Sequence, residues 1–181
     1  MVLLSRLSAF RHSFSFVFAA LFVLAGVLIF PSLKHQDLSL TGAVRVVNVY
    51  DGDTFKIESG EKVRLLGIDT PELHESKKML RDASRSGQDI ATIKAMGFRA
   101  SAFVKPLILN KTVRLEFDIE KRDKYGRLLA YVYLDDGTFL NKKIIESGYA
   151  VPLTIPPNIK HADEFKMLFK QARARKSGLW D

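Results

Sequence analysis

The feature that most constrains the fold is a series of short β-type segments separated by glycine-containing turns, between Gly42 and Ile68. Segments in which β-branched, aromatic and leucine residues predominate occupy residues 44–50, 54–57 and 62–68. Asp51-Gly52-Asp53 separates the first two, and Glu58-Ser59-Gly60-Glu61 separates the second and third. Such turns between β-rich segments are typical of hairpins. We therefore predict three short strands in an antiparallel meander.

The hydrophobic period changes to a helical one further along the chain. Apolar residues recur at three- and four-residue spacing over 88–107, which predicts an amphipathic helix. Strands are predicted at 112–117 and 128–134, a short helix at 141–146, and a last helix around 165–172 that ends before Gly178. This order indicates an α+β domain. Five antiparallel strands closing on themselves, with about three helices, would form the small barrel of an OB-fold.

The amino-acid composition excludes some kinds of site and indicates a class of ligand. The chain of 181 residues has no cysteine, which excludes disulfides, thiolate metal sites and a cysteine nucleophile. Its formal net charge is +8. Residues 1–40 contribute +2, from Arg6, Arg11 and Lys34 against Asp37, so +6 belongs to the remainder. A basic domain attracts polyanions, and nucleic acid is the commonest large one.

The N-terminal segment resembles an export signal. Residues 13–30 are almost entirely apolar and carry no charge, and Arg6 and Arg11 precede them. Eighteen residues of helix would extend roughly 27 Å, enough to cross a bilayer. The charge bias places the N-terminus in the cytoplasm and the following domain outside. The sequence at 30–34, Phe-Pro-Ser-Leu-Lys, is a poor signal-peptidase site. An uncleaved membrane anchor is therefore favoured, and secretion after cleavage remains the alternative.

The chain accordingly divides into a signal or anchor segment with a short linker, residues 1–40, and an extracytoplasmic domain, residues 41–181. We expect the domain to be a monomer, because it is large enough to bury its own core.

Three segments of the domain concentrate polar residues, at 51–54, 64–72 and 122–127. Each alone has an ordinary interpretation as a hairpin turn, a helix start or an exposed loop. Arg64, inside an apolar strand pattern, must either point outward or have a partner. Asp53 precedes one predicted strand and Asp69 ends its neighbour. Since adjacent strands lie about 5 Å apart, these carboxylates could share a hard cation such as calcium.

The same segments resemble the thermonuclease (staphylococcal nuclease) family over nearly all of residues 42–181. The family's motifs are matched by Asp-Gly-Asp-Thr at 51–54, Arg-Leu-Leu-x-x-Asp-Thr-Pro-Glu at 64–72, Asp-Lys-Tyr-Gly-Arg at 123–127 and Gly-x-Trp at 178–180. Four motifs in the same order make a chance match remote. The resemblance implies an OB-fold and a calcium-dependent endonuclease. Such an enzyme hydrolyses phosphodiester bonds of DNA and RNA and leaves 3′-phosphate ends.

The resemblance also implies catalytic roles, position by position. It makes Arg64 and Arg127 the phosphate clamps and Glu72 the group that activates or orients the attacking water. Guanidinium groups suit this task because they stay charged and donate paired hydrogen bonds to phosphate oxygens. A carboxylate near the water can act as a general base.

The remaining implied roles concern the metal and the nucleotide. Asp53 and Asp69 would ligate calcium together with the backbone carbonyl of Thr70. Tyr125 matches a tyrosine that lines the family's nucleotide pocket, and Lys124 beside it is assigned with it to substrate binding.

Two neighbouring carboxylates are predicted to support these roles. Asp51 is interpreted as a supporting partner of the calcium ligands, with an ordinary turn residue as the alternative. Asp123 either orients Arg127 or caps its own loop, and the sequence does not separate these possibilities.

Two regions depart from the family's pattern or carry no clear structural signal. The family's additional pocket tyrosine is absent from residues 151–158, so nucleotide preference is not predicted. Residues 73–78, after Glu72, are predicted to form a polar, flexible loop. Its charges are interpreted as solvated, with contact to the substrate as the alternative.

One alternative belongs to a different functional class, a catalytically silent OB-fold module that binds nucleic acid while tethered to a membrane. Such a module has no use for the acidic residues Asp53, Asp69 and Glu72, which would repel phosphate without a metal. The nuclease interpretation is therefore favoured.

Overall fold

A computed structural model describes residues 42–181, apart from the side chain of Lys78. The apolar helix expected at 13–30 lies outside the described residues. The elements follow in the order β1 (Val44–Val49), β2 (Thr54–Ile57), β3 (Lys62–Leu65), β4 (Gly67–Asp69), α1 (Lys77–Ser86), α2 (Ile90–Ile108), β5 (Thr112–Glu116), β6 (Leu128–Leu134), α3 (Leu140–Glu146), β7 (Val151–Leu153) and α4 (Ala162–Ala174). A 3-10 helix, Gly178–Trp180, comes last.

Five strands close into a barrel in the order β1-β2-β3-β6-β5. The predicted meander is confirmed: Val49 pairs with Phe55 and Phe55 with Val63, both antiparallel. The prediction of a wholly antiparallel barrel is wrong, because β3 and β6 run parallel, with Val63 opposite Leu128. Parallel neighbours require a long crossover, and the chain between β3 and β6 contains β4, two helices and β5. The predicted α+β class and the five-stranded OB-like barrel are confirmed.

Inward-facing side chains of the barrel strands form the core. Val46, Phe55, Val63, Leu115 and Val132 are each no more than 1% exposed. Side chains alternate across a strand, so the same strands can present polar residues on their other face. Burying one such apolar side chain contributes roughly 1.5–3 kcal/mol, which makes the barrel a rigid platform for the loops at its end.

The predicted strand over 62–68 is interrupted. β3 ends at Leu65 and β4 begins at Gly67, which has φ +75°. A Cβ atom at Gly67 would lie 2.6 Å from the ring of Phe165 in α4, so glycine is required both by the backbone and by the packing. After the break, β4 leaves the barrel and pairs antiparallel with β7, with Asp69 opposite Val151.

Within residues 42–181, four α-helices accompany the barrel, one more than predicted for this part of the chain. The additional helix is α1, which begins within the segment that was expected to be a flexible loop. Its N-cap is Ser76, whose hydroxyl accepts a hydrogen bond from the Met79 N–H at 3.1 Å. Met79 is fully buried, and the helix ends at Gly87 with φ +71°. Within residues 42–181, no helix is both long and apolar enough to cross a membrane.

Candidate active site

The turn before β2 presents the first carboxylate. Asp53 is 5% exposed, and its N–H donates to Asp51 Oδ1 at 3.0 Å, which fixes the turn. The hydroxyl of Thr54 donates to Asp53 Oδ1 at 3.0 Å. Thr54 in turn lies opposite Arg64 on β3. The strand register therefore brings the first two sequence motifs together.

Asp53 is also bound by the loop that follows β4. Its Oδ2 accepts from the N–H of Thr70 at 2.9 Å and from the Thr70 hydroxyl at 3.0 Å. Gly52 permits this approach, since a Cβ there would lie 2.8 Å from a Thr70 side-chain carbon. A carboxylate that accepts several hydrogen bonds is held in one orientation, so Thr70 and Thr54 fix the position of Asp53.

Arg64 joins the two carboxylates that the sequence assigned to one cation. Its Nη1 lies 3.0 Å from Asp53 Oδ2, and its Nη2 lies 2.7 Å from Asp69 Oδ1. Nη1 also donates to the carbonyl of Ile68 at 2.9 Å and to that of Leu65 at 3.1 Å. The side chain is 12% exposed. Arg64 therefore has partners, as an arginine in an apolar strand must.

The loop before β6 holds the second arginine. Asp123 Oδ2 accepts from Arg127 Nε at 2.7 Å, and Oδ1 accepts from the N–H groups of Tyr125 at 2.9 Å and Arg127 at 3.0 Å. Partial burial raises the pKa of Asp123, but the hydrogen bonds from Arg127 and Tyr125 outweigh it and the pKa is lowered. Asp123 thus both orients Arg127 and caps the loop, so the two predicted roles coexist.

Tyr125 stands at the tip of the same loop and is 72% exposed. Lys124 Nζ lies 5.1 Å from the centre of its ring, and the Arg127 guanidinium carbon lies 5.5 Å from it. The aromatic face is therefore flanked by two cations at the surface, a combination that suits a nucleotide with its base and phosphate.

Glu72 lies in the loop between β4 and α1, next to Pro71, and is partly buried. Its main chain rests against α2 at Gly97, where a Cβ atom would lie 2.6 Å from the Glu72 carbonyl carbon. The absence of a side chain at Gly97 therefore lets the helix and the Glu72 backbone touch.

One open cleft of about 830 Å³ gathers most of the predicted site. The predicted residues that line it are Asp51, Asp53, Arg64, Asp69, Glu72, Lys124, Tyr125 and Arg127. Thr70 is the exception: it is 2% exposed and lies behind the cleft, against Asp53. The region that lacks the family's extra tyrosine contributes Leu153, Ile155 and Asn158 to the wall.

Sequence reasoning missed the cleft residue Arg81 of α1, and it placed Lys77 in a flexible loop and not on a helix. The signal that could have identified them is their spacing of four residues, which places both cations on one side of a helix. Because α1 was not predicted, the four-residue spacing could not indicate that the two side chains lie together.

The donor chemistry of the cleft fits a divalent cation. Asp51, Asp53 and Asp69 lie around the single guanidinium of Arg64. Burial, followed by the neighbouring Asp53 carboxylate, raises the pKa of Asp51 to about 7. This excess of carboxylates would be relieved by a bound cation. In residues 42–181 no group of three or more His, Asp or Glu side chains is already assembled to hold a metal. Calcium, which accepts carbonyls and waters as well, would complete its shell with those ligands.

The sequence of the chain is similar to those of known nucleases. Residues 62–181 match the family model for staphylococcal nuclease homologues. The chain is 37% identical over 139 residues to a thermonuclease of Staphylococcus intermedius. The aligned region covers 75% of this chain and 74% of that protein. It is 32% identical over 171 residues to a thermonuclease of Staphylococcus hyicus, covering 91% and 93%. A Bacillus subtilis protein named endonuclease YncB is 38% identical over 155 residues, covering 83% and 66%.

Proposed function

The chain belongs to the staphylococcal nuclease family, and on that basis we propose that it is a calcium-dependent endonuclease that hydrolyses phosphodiester bonds of DNA and RNA. The observation that carries the proposal is the convergence of Arg64, Glu72 and Arg127 on one cleft beside Asp53 and Asp69. These residues come from three separate segments of the chain, and only the folded barrel brings them together.

The two arginines would bind the phosphate. Hydrolysis places additional charge on the non-bridging phosphate oxygens, and guanidinium donors already in position stabilise that charge. Arg127 is held by Asp123 through Nε alone among the hydrogen bonds of the described residues. Its two Nη groups are therefore available for a bidentate contact. Arg64 already donates to Asp69 and lies against Asp53, so its phosphate contact must compete with these carboxylates.

Asp53 and Asp69 would hold calcium, together with the carbonyl of Thr70 and water. When bound, the cation would supply Lewis acidity and orient phosphate and water. Asp53 is fixed by Thr54 and Thr70, so one ligand is already in position before the cation arrives.

Glu72 would accept a proton from the attacking water or orient that water. The oxygen of water bonds to phosphorus, the P–O5′ bond breaks, and the 5′-oxygen leaves as a hydroxyl after it gains a proton. The products are a 3′-phosphate and a 5′-hydroxyl end. General-base assistance of this kind contributes typically about 100- to 10,000-fold.

We also propose that the enzyme acts outside the cytoplasm as a monomer. The basis for the location is the uncharged segment 13–30 behind Arg6 and Arg11. The basis for the monomer is a domain large enough to bury its own core. The segment would anchor the chain in the membrane, or be removed on secretion.

The test of activity is cleavage of labelled single-stranded DNA and RNA by the full-length protein, with calcium and with a calcium chelator in parallel. We expect cleavage only with calcium, and 3′-phosphate ends on the products. Binding of the strands without cleavage in either condition would instead support the catalytically silent binding module.

Arg127→Lys tests the phosphate clamp in the same assay. Lysine keeps the charge but cannot form a two-pronged hydrogen bond, so we expect kcat to fall by about 100- to 1000-fold. Retention of near wild-type turnover would show that Arg127 does not bind the reacting phosphate.

A further inference from the structure

The helix that the sequence did not predict, α1, carries an uncommon arrangement of charge. Residues 77–86 contain four basic residues and one acidic residue. Lys77, Arg81 and Arg85 follow one another at four-residue spacing, so they lie on the same side of the helix, about 6 Å apart along its axis. All three are exposed.

These cations have no carboxylate partner among the described ion pairs. Some other basic residues of the domain do have a carboxylate partner: Lys94 pairs with Glu75, Arg122 with Glu61 and Lys142 with Glu164. Unpaired cations on one helix face repel each other unless an anion lies between them. The face is therefore suited to a ligand with regularly repeated negative charge.

The helix is held firmly enough to present that face. Met79 is fully buried, and Ser76 and Gly87 provide the two caps. Just before the helix, Glu75 pairs with Lys94 of α2 at 3.1 Å. The basic residues are thus displayed from an ordered element and not from a loose loop.

The position of the helix links this face to the reaction. Lys77 and Arg81 line the same cleft as Arg64, Glu72 and Arg127. Arg85, one turn further on, lines a neighbouring cavity of about 470 Å³. A strand with its reacting phosphate between Arg64 and Arg127 could therefore leave the cleft along α1.

We propose that α1 is a second phosphate-binding wall, in which Lys77 and Arg81 hold the backbone of a single-stranded polynucleotide beyond the reacting phosphate. The inference rests on the proposed nuclease function and specifies its substrate as an extended strand. Contacts with backbone phosphates are independent of base identity. The wall would therefore favour long strands over dinucleotides without choosing a sequence.

The test compares the wild type with the double variant Lys77→Gln/Arg81→Gln, using full-length protein in a calcium chelator. Fluorescence anisotropy measures binding of a labelled strand about twelve nucleotides long, near the usual size of such sites. We expect the double variant to bind it about tenfold more weakly, as two exposed charge contacts imply. The salt dependence, as the slope of log K against log salt, should fall by about 1.4 for two lost phosphate contacts.

A matched control removes the same charge elsewhere. Lys105 and Lys170 are exposed and do not line the cleft, so Lys105→Gln/Lys170→Gln should bind like the wild type. Equal loss in both double variants would mean that net charge, and not α1, holds the strand, and would overturn the proposal. Unchanged affinity and salt slope in the α1 variant would overturn it as well.

Cleavage of a dinucleotide with calcium separates this inference from the proposed function. We expect the α1 substitutions to slow cleavage of a long strand, at a concentration below its KM, about tenfold more than cleavage of the dinucleotide, because the wall would contact phosphates beyond the reacting one. An equal loss on both substrates would mean that Lys77 and Arg81 act on the reacting phosphate, contrary to the proposal. If the wild type cleaves nothing, the nuclease function fails, while the binding comparison still decides the role of α1.

Discussion

At the scale of single residues, the two arginines proposed to bind phosphate differ in the contacts that they already make. Arg64 is 12% exposed, lies against Asp53 and donates to Asp69 and to two backbone carbonyls. Among the described residues, the guanidinium of Arg127 donates a hydrogen bond to Asp123 alone, through Nε, and lies 5.5 Å from the centre of the Tyr125 ring. A phosphate bound as proposed would therefore meet one arginine with both Nη groups available and another that must first give up carboxylate partners.

Gly97 gives a residue-scale prediction about Glu72. An alanine in place of a helical glycine usually stabilises a helix by roughly 0.5–1 kcal/mol. Here the new Cβ would collide with the Glu72 main chain. We expect Gly97→Ala to lower kcat by about 10- to 100-fold with little change in KM, because a small displacement of a catalytic group is costly. Steady-state kinetics and a thermal melt measure both effects.

Gly42→Ala is the control for that substitution, since a Cβ there would meet nothing within 4 Å. It should leave kcat unchanged. A Gly97→Ala variant with wild-type kcat and a higher melting temperature would show that the contact with Gly97 does not position Glu72.

At the scale of elements, the loop from Arg122 to Arg127 is organised by one carboxylate. Asp123 accepts three hydrogen bonds, all from within the loop, and Gly126 at φ +79° closes the turn by donating to the Asp123 carbonyl at 2.9 Å. Loss of the negative charge on Asp123 should therefore loosen both the turn and the arginine.

This loop makes a pH-dependent prediction. The folded-state pKa of Asp123 is lowered by its hydrogen bonds, so its charge stabilises the fold fully above the unfolded pKa near 3.9. That contribution is lost as the pH falls through the lower folded value. We expect Asp123→Asn to be less stable than the wild type at pH 7, with the difference shrinking in acid. Urea denaturation at several pH values measures it, and a difference that stays constant with pH would contradict the assignment.

At the scale of the whole molecule, calcium should act as a stabilising ligand. The proposed ligands, Asp53 in the turn before β2 and Asp69 at the end of β4, come together only in the folded protein, so calcium binding would favour the native state. At a calcium concentration 100 times the Kd, the gain is about 2.7 kcal/mol, or roughly 5–10 °C in Tm. Thermal melts with and without calcium measure this shift.

The variant Asp69→Asn should lose most of the calcium-induced shift, since it removes a proposed ligand. Magnesium provides a further comparison, because it demands a smaller and more regular octahedral site. An equal calcium shift in the wild type and in Asp69→Asn would place the cation elsewhere.

Local sequence patterns were sufficient to predict much of the molecule. The strands β1, β2 and β6 follow from segments of β-branched, aromatic and leucine residues next to glycine turns, and α2 follows from an apolar stripe. The motifs at 51–54, 64–72 and 123–127 contain the predicted site residues that line the cleft. These features depend on interactions between residues that are close in the sequence. A short stretch of chain is therefore sufficient to predict them.

The tertiary structure decided what depends on distant partners. The parallel pairing of β3 with β6, and the break at Gly67 imposed by the ring of Phe165, both involve residues far apart in the chain. Helix α1 has too few apolar residues for a stripe, and the burial of Met79 is what holds it in place. The contacts of Arg64 with Asp53 and Asp69, and the close approach of Gly97 to Glu72, exist only once the barrel has closed, because each joins separate segments of the chain. The position of Lys77 and Arg81 beside the cleft depends on the folded barrel for the same reason.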